Sequence, residues 1–270
     1  MEQRTVDLQL DRAHSARMYD YYLGGRTNFQ ADREAVGKIL ALMPAIQIAA
    51  RENRKFMHRS TRFSAEQGIR QFLDVGTGIP TQPNLHEIAQ AVVPDARVVY
   101  VDNDPIVLAH AQALLQSTPE GHTAYIQADL GDPESILDSP ELRESLDLTQ
   151  PVALSLNAVL HFITDDDRAL ASAARLKDAL APGSVLVITH GASDVTPQRT
   201  AQGSAIYRNA GTAVRARSRD EFAAFFAGWD MVEPGFTTVF RWRPDSDGAT
   251  DGLTDEQAGL HAGVARKPAA

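Results

Sequence analysis

Residues 72–81, FLDVGTGIPT, constrain the chain most. Phe72, Leu73 and Val75 enclose Asp74, and Gly76 and Gly78 then alternate with small residues. The spacing predicts a buried strand over about 71–75 that ends in a glycine turn, with a helix over about 84–93 behind it. Glycines at 76 and 78 let the backbone turn sharply and let a ligand approach it directly. Many nucleotide-binding folds open with such a unit, so the turn alone fixes a fold class and not a ligand.

Asp74 narrows the ligand. A dinucleotide site sets a pyrophosphate against this turn and favours a third glycine in the pattern G-x-G-x-x-G. Here that third position is Thr81, and a carboxylate inside the turn would repel phosphate. A ligand with a cationic end and no phosphate fits better. S-adenosylmethionine (SAM) is one, with an ammonium, a sulfonium and an adenosine. The plain alternative is a buried aspartate that only ties the turn together by hydrogen bonds.

Beyond the turn, strand and helix patterns alternate. Strands are predicted over about 97–102, 123–129, 151–157 and 183–191, and helices over about 104–116, 133–146 and 165–180. Asp104 followed by Pro105 is a helix start. Five buried strands separated by helices imply an α/β fold with a parallel sheet and a ligand crevice at the strands' carboxyl ends. Residues 192–217 are polar and read as an irregular insertion over that edge. Ser218 and Glu221 form a capping box for a helix to about Ala227, which Gly228 ends. Two further strands, about 231–242 and 260–267, read as a hairpin around a polar loop.

The polar residues at the strand ends converge on one crevice. Asp102 closes the second strand, where a carboxylate can accept from both ribose hydroxyls. Asp129 closes the third and could accept from an adenine amino group. Asn157 closes the fourth, with His161 soon after, and His190 closes the fifth. A lone histidine is more often structural than catalytic, and both remain candidates. Asp165, Asp166 and Asp167 precede a helix, where carboxylates serve as N-cap and dipole partners. No metal is expected.

Ahead of the glycine turn, residues 1–13 read as a loose arm. Tyr19, Tyr21, Tyr22 and Phe29 then crowd together in a chain with only 2 Trp, 6 Tyr and 10 Phe, beside the helix-breaking Gly24 and Gly25. Asn28 can take a left-handed turn or hydrogen-bond a ligand. This segment is either a lid over the ligand or a helix packed on the core. Residues 31–67 are helical with a break at Pro44. The stripe Ile46, Ala49, Asn53, Phe56, Ser60, Phe63 is interrupted by two polar residues that are either satisfied in the core or turned to a cavity. Arg51, Arg54, Arg59 and Arg62 flank it and read as a solvated, ion-paired face.

The absence of cysteine excludes disulfides, thiolate metal sites and cysteine nucleophiles. A net charge of −9 argues against binding duplex nucleic acid over a broad surface. No apolar run approaches the roughly 20 residues of a membrane span, and the polar start lacks a signal-peptide pattern. A cytoplasmic protein with a small-molecule substrate is the expectation.

With these residues assembled, the chain resembles the class I SAM-dependent methyltransferases. The D-x-G-x-G turn is Asp74, Gly76 and Gly78, and Pro80 stands where that family usually has a third glycine. The likeness is closer to one branch, the S-adenosyl methyltransferase family that was long a domain of unknown function. Its marks are RMYDYYLGGRTNFQADRE (17–34), NRKFMHR (53–59), FLDVGTGIPT, VDNDP (101–105) and the ending HAGVARKP. The resemblance implies a Rossmann-like core over 68–270 with a seven-stranded, mostly parallel sheet whose last strand is antiparallel. Residues 1–67 would form a helical lid region of the same single domain. It further implies Asp102 on ribose and Asp129 on adenine, with Asn103 and Leu130 beside them. Asp74, Gly76, Gly78, Asn157, Tyr22, Gly25 and Asn28 would complete the donor set. Methyl transfer needs alignment of donor and acceptor, and a base only if the acceptor must lose a proton. His161, His190 and Tyr22 are the candidates for that base. Two rivals stand beside this reading: an oxidoreductase using a nicotinamide cofactor, and a SAM-binding regulator without turnover.

Overall fold

A computed structural model describes residues 10–114, 116–245, 250 and 252–269. Most of the expected arm over 1–13, residue 115 of the helix expected to 116 and part of the carboxyl-terminal polar loop fall outside the described residues.

Five strands run parallel: β1 (Gln71–Val75), β2 (Arg97–Asp102), β3 (His122–Gln127), β4 (Ala153–Asn157) and β5 (Val185–Gly191). Two short strands, β6 (Asp230–Met231) and β7 (Thr237–Thr238), and then β8 (Leu260–Arg266) complete the sheet. Its order is β3-β2-β1-β4-β5-β8-β6, with β7 also paired to β8. β8 is antiparallel to β5, with His190 opposite His261. The chain builds outward from β1 through β2 to β3, then returns to place β4 on the other side of β1. The crevice created by that reversal, outside the carboxyl ends of β1 and β4, is where sheets of this kind take ligands.

Alternation along the strands explains why both faces are covered. Leu73, Val75, Val99, Val101, Leu154, Leu156, Leu186 and Ile188 point to one face and join one buried cluster. Phe72, Val98, Tyr100, Ala153, Val185 and Val187 point to the other. Helices follow in the order α1 (Ser15–Tyr22), α2 (Gln30–Leu42), α3 (Ile46–Glu66), α4 (Leu85–Val92), α5 (Pro105–Leu114), α6 (Pro133–Leu137), α7 (Pro140–Ser145), α8 (Asp166–Asp178), α9 (Pro197–Asn209), α10 (Arg219–Ala223) and α11 (Asp255–Ala258). The first face is covered by α6, α7, α8 and α10, through residues such as Ile136, Leu142, Ala173, Leu176 and Phe222. The second is covered by α3, α4 and α11. A third cluster joins Met18, Tyr22, Val36, Ile39 and Ala50, with Ile206, Tyr207 and Ala210 packed against it. So α1, α2, part of α3 and α9 share a small core of their own.

Four expectations need correction. Residues 192–217 are not irregular, because α9 spans Pro197–Asn209. Its sequence shows no apolar stripe, and its support is tertiary. Gly203 lets it approach the end of α2, since a Cβ there would lie 2.7 Å from Met43 Sδ. The strand expected over 231–242 is two stubs, because Pro234 has no N–H for the ladder and Gly235 turns left-handed at φ +80°. The sheet therefore counts eight strands where seven were expected, with the antiparallel β8 in its expected place. The helix expected over 133–146 is two short ones, broken at Ser139 before Pro140. Finally, Arg59 is buried rather than solvated: its guanidinium donates to Trp242 O at 2.9 Å and Val239 O at 2.6 Å. Arg62, by contrast, makes the expected exposed ion pair, with Asp245 at 3.0 Å.

Candidate active site

A cavity of about 630 Å3 opens at the carboxyl ends of the strands. Its floor is the turn after β1. The Gly76 and Thr77 amides donate to Val101 O at 2.8 and 3.1 Å, which bends the chain across the end of β2. Gly76 has φ +78°, and a Cβ there would sit 2.4 Å from Val159 Cγ2. Only glycine satisfies both demands. Gly78, at φ +69°, has open space where a side chain would be. Its amide donates to Asp102 Oδ2 at 2.8 Å, while the Asp104 amide donates to Oδ1 at 3.0 Å. Asp102 is thus held by two backbone donors, and each carboxylate oxygen keeps acceptor capacity for a ligand. Asp129 is fixed the same way, accepting from Gly131 N at 2.6 Å and Asn103 Nδ2 at 3.1 Å.

Of the expected site residues, Asp74, Gly76, Gly78, Asp102, Asn103, Asp129, Leu130, Asn157, His161 and Tyr22 all line this cavity. Gly25, Asn28 and His190 do not. Gly25 and Asn28 close a loop instead: Asn28 Nδ2 donates to Asp20 Oδ2 at 2.9 Å and Gly25 O at 3.1 Å, and Arg33 donates to Asn28 O at 2.7 Å. A Cβ on Gly25 would overlap the Asp20 carboxylate. His190 is fully buried, and both its ring nitrogens are committed. Gly191 O can only accept, so Nδ1 donates to it at 3.0 Å; Arg217 can only donate, so Nε2 accepts from it at 2.9 Å. Arg217 also reaches Leu160 O, Ile163 O and Asp166, and so ties the end of β5 to the loop carrying His161. Asp165 caps α8, accepting from Arg168 N at 2.8 Å.

The lining is electrostatically loaded. Burial pushes the Asp74 carboxyl up to about 6, against the Arg54 charge and hydrogen bonds from Ser155 and Thr77. Burial, then the Arg217 charge, pulls His161 down to about 4, so it is neutral at pH 7. Burial raises the Tyr22 phenol far above its ordinary range, which keeps it protonated and unfit as a base. The Tyr22 and Tyr207 hydroxyls meet at 2.9 Å, joining α1 to α9.

Four lining residues carry buried polar atoms with no hydrogen-bond partner: Asn53 Oδ1, Arg54 Nε, Asn157 Oδ1 and His161 Nδ1. Buried polar groups are nearly always paired, so orphans gathered on one cavity mark where a ligand's polar atoms belong. The same lining also carries Asp74, Asp102 and Asp129, whose carboxylates could accept from the ammonium, hydroxyls and amine of SAM. Among the described residues no group of three or more His, Asp or Glu could hold a metal ion. A second depression of about 540 Å3 lies by the amino ends of β1 and β2. There Arg97 donates to Ser145 O and Glu144 O, so its polar groups satisfy one another.

Asn53 turns to the cavity, one of the two options its helix position left open. Arg54 contradicts its reading as solvated. It donates to Thr81 O and, at 2.8 Å, to Pro83 O, gripping the loop after the glycine turn. Tyr207 and Arg217 were also missed. No local signal marks them, because each acts through a partner more than 25 positions away.

Comparisons with known proteins agree with this geometry. The sequence profile described as S-adenosyl methyltransferase matches residues 1–268. A DUF574 family protein from Streptomyces avermitilis is 49% identical, with 97% of this chain and 100% of that one covered and a TM-score of 0.94. A Thermobifida fusca protein assigned to the methyltransferases is 38% identical over 100% of both chains, with a TM-score of 0.87. At 12% identity, the plantazolicin methyltransferase BpumL in complex with S-adenosylhomocysteine shares the fold alone, covering 93% of this chain and 95% of its own with a TM-score of 0.52. No curated protein matches. The chain belongs to the S-adenosyl methyltransferase family, and its co-substrate is SAM.

Proposed function

We propose that the chain methylates a small, uncharged acceptor enclosed beneath α1 and α9, with residues 1–67 acting as a lid region on the 68–270 core. SAM supplies an electrophilic methyl group on a sulfonium. Asp102 would hold the ribose hydroxyls, Asp129 the adenine amine and Asp74 the ammonium, with Asn103, Leu130 and the glycine turn around them. The β4 and β5 side of the cavity is left for the acceptor. The observation that carries this half is His161, which lines the cavity, is held neutral by burial and has a buried Nδ1 without a partner. A neutral imidazole can accept a proton from a hydroxyl acceptor as the new bond to carbon forms, so no proton is stranded in the closed site. Phe162, Ile163, Val214, Thr200, Ser204 and Tyr207 also line the cavity without charge, with Arg199 the charged exception on α9, and this mainly neutral side favours an acceptor that is uncharged and partly apolar. Family membership favours this reading over the nicotinamide oxidoreductase.

The test is a metabolite-extract screen with labelled SAM, followed by His161→Gln on whatever acceptor is found. The variant should keep its affinity for S-adenosylhomocysteine and lose roughly 100-fold or more in kcat, the scale of general-base catalysis. An unchanged kcat and pH profile would remove His161 from the chemistry.

A further inference from the structure

Arg217 is almost fully buried, yet it does not line the cavity. Its backbone is fixed just beyond β5, where its N–H donates to Gly191 O at 2.9 Å and its carbonyl accepts from Ser193 N at 3.0 Å. From there the guanidinium places every donor. Nε donates to Asp166 Oδ1 at 3.0 Å, and Nη1 donates to Leu160 O at 3.2 Å and His190 Nε2 at 2.9 Å. Nη2 donates to Ile163 O at 2.9 Å and pairs with Asp166 Oδ1 at 2.9 Å. His161 sits inside this clamp. Arg217 holds carbonyls on both sides of it, at 160 and 163, and His161 O itself accepts from Arg215 N at 2.8 Å. The ring is braced as well. His190, bonded to Arg217, meets it edge to face with centroids 5.6 Å apart. The 160–162 segment is a single 3-10 turn with few backbone bonds of its own, so its geometry depends on these ties.

We propose that Arg217 is a positioning residue for His161, fixing its ring at the cavity wall through the 160–163 backbone and through His190. The proposal rests on His161 as the base. A rigid fork with five donors can span three elements, whereas a lysine ammonium has three donors at one point. Arg217 also acts by its charge. The groups around His161 are Arg217 and His190; Asp166, Arg215 and Glu221 act in turn on Arg217, and His261 on His190. After burial, the Arg217 charge is what holds the His161 ring low.

The experiment compares wild type, Arg217→Lys, Arg217→Gln and Asp166→Asn as full chains, with two readouts. One is ring 15N NMR of His161 with S-adenosylhomocysteine bound, the signal being the one lost in His161→Gln. The other is kcat and KM against pH on the acceptor found with labelled SAM. In wild type the ring should stay neutral from pH 7 to about 5, above its titration near 4. Arg217→Gln removes the charge, so the titration and the acid limb of kcat should both move up toward the ordinary 6.5. Arg217→Lys keeps a charge and loses the fork; kcat should fall about 100-fold, the scale of an ångström of misplacement, with affinity for S-adenosylhomocysteine unchanged. Asp166→Asn, at a partly exposed carboxylate, frees one end of the fork and should cost roughly 10-fold in kcat. Wild-type kcat in Arg217→Lys or Asp166→Asn would overturn the proposal. So would an unmoved His161 titration in Arg217→Gln, or a loss of S-adenosylhomocysteine affinity as large as the loss of kcat, since Arg217 would then be only a structural tie. If neither Arg217 variant folds, Asp166→Asn decides alone. If His161→Gln keeps full kcat, the base reading falls and this proposal with it; if His161→Gln loses kcat and Arg217→Lys does not, this proposal alone falls.

Discussion

Asp74 shows how a single residue couples burial to ligand choice. Its carboxyl titrates near 6 because burial disfavours the charge, and only the ionised form can take an ammonium. Donor affinity should therefore fall as pH drops through about 6 and level off above it. A calorimetric pH series with S-adenosylhomocysteine checks this, and Asp74→Asn should flatten the profile. If the profile of Asp74→Asn still turns near 6, another group is responsible. At this scale the sequence was informative at four strand ends and failed at the fifth, where His190 turns into the core. Asp74, Asp102, Asp129 and Asn157 all reach the cavity because parallel strands deliver their carboxyl ends to one edge. Gly25 and Asn28 looked equally polar and turn-forming, yet they satisfy each other away from it. Arg54 was invisible because its role depends on α3 crossing the glycine turn, which no spacing along α3 reveals.

At the scale of elements, the question is what closes the site. α1 presents Tyr22, α9 presents Tyr207, and their hydroxyls bond over a shared cavity. Asn53 Nδ2 donates to the Tyr19 hydroxyl at 2.9 Å, which itself donates to Ala50 O, so α1 is also tied to α3. In the proposed lid reading, α1 with α9 is the cover that moves to exchange substrates. Amide hydrogens over 15–22 and 197–209 should exchange quickly in the free protein and slow when S-adenosylhomocysteine is added. Tyr22→Phe, which removes the bond and keeps the ring, should speed exchange in both helices and lower stability by only about 0.5–1.5 kcal/mol. Equal protection with and without ligand would make α1 a permanent part of the core. The aromatic cluster at 19–29 marked the α1 side of this contact in the sequence. The other side, α9, was hidden because its few apolar residues pack on α1 and α2 and not on the sheet.

Across the whole molecule, the sheet was the most legible feature, since parallel strands buried on both faces must be written as apolar runs. What could not be read was where a run would be interrupted, as at Pro234 and Gly235. The buried histidines give the fold a definite response to acid. Burial lowers His58 and His161 to about 4 and also lowers His86 and His190. Between these values and the ordinary 6.5, the unfolded chain binds protons that the native one does not, so stability falls as pH drops through that window. Asp74, raised by burial to about 6, and Asp102, raised by burial, act in the opposite sense, but with His122 also lowered they are two against five. The melting temperature should therefore decline from pH 6.5 toward 4, and His161→Gln should soften the decline. A melting temperature that rises over this range would contradict the neutral histidines. Whether the crevice between β1 and β4 holds SAM is decided by a crystal structure with S-adenosylhomocysteine. The ribose should lie on Asp102, the adenine beside Asp129 and the amino-acid end beside Asp74. A ligand lying elsewhere, or inserted with its adenine at Asp74, would contradict this placement.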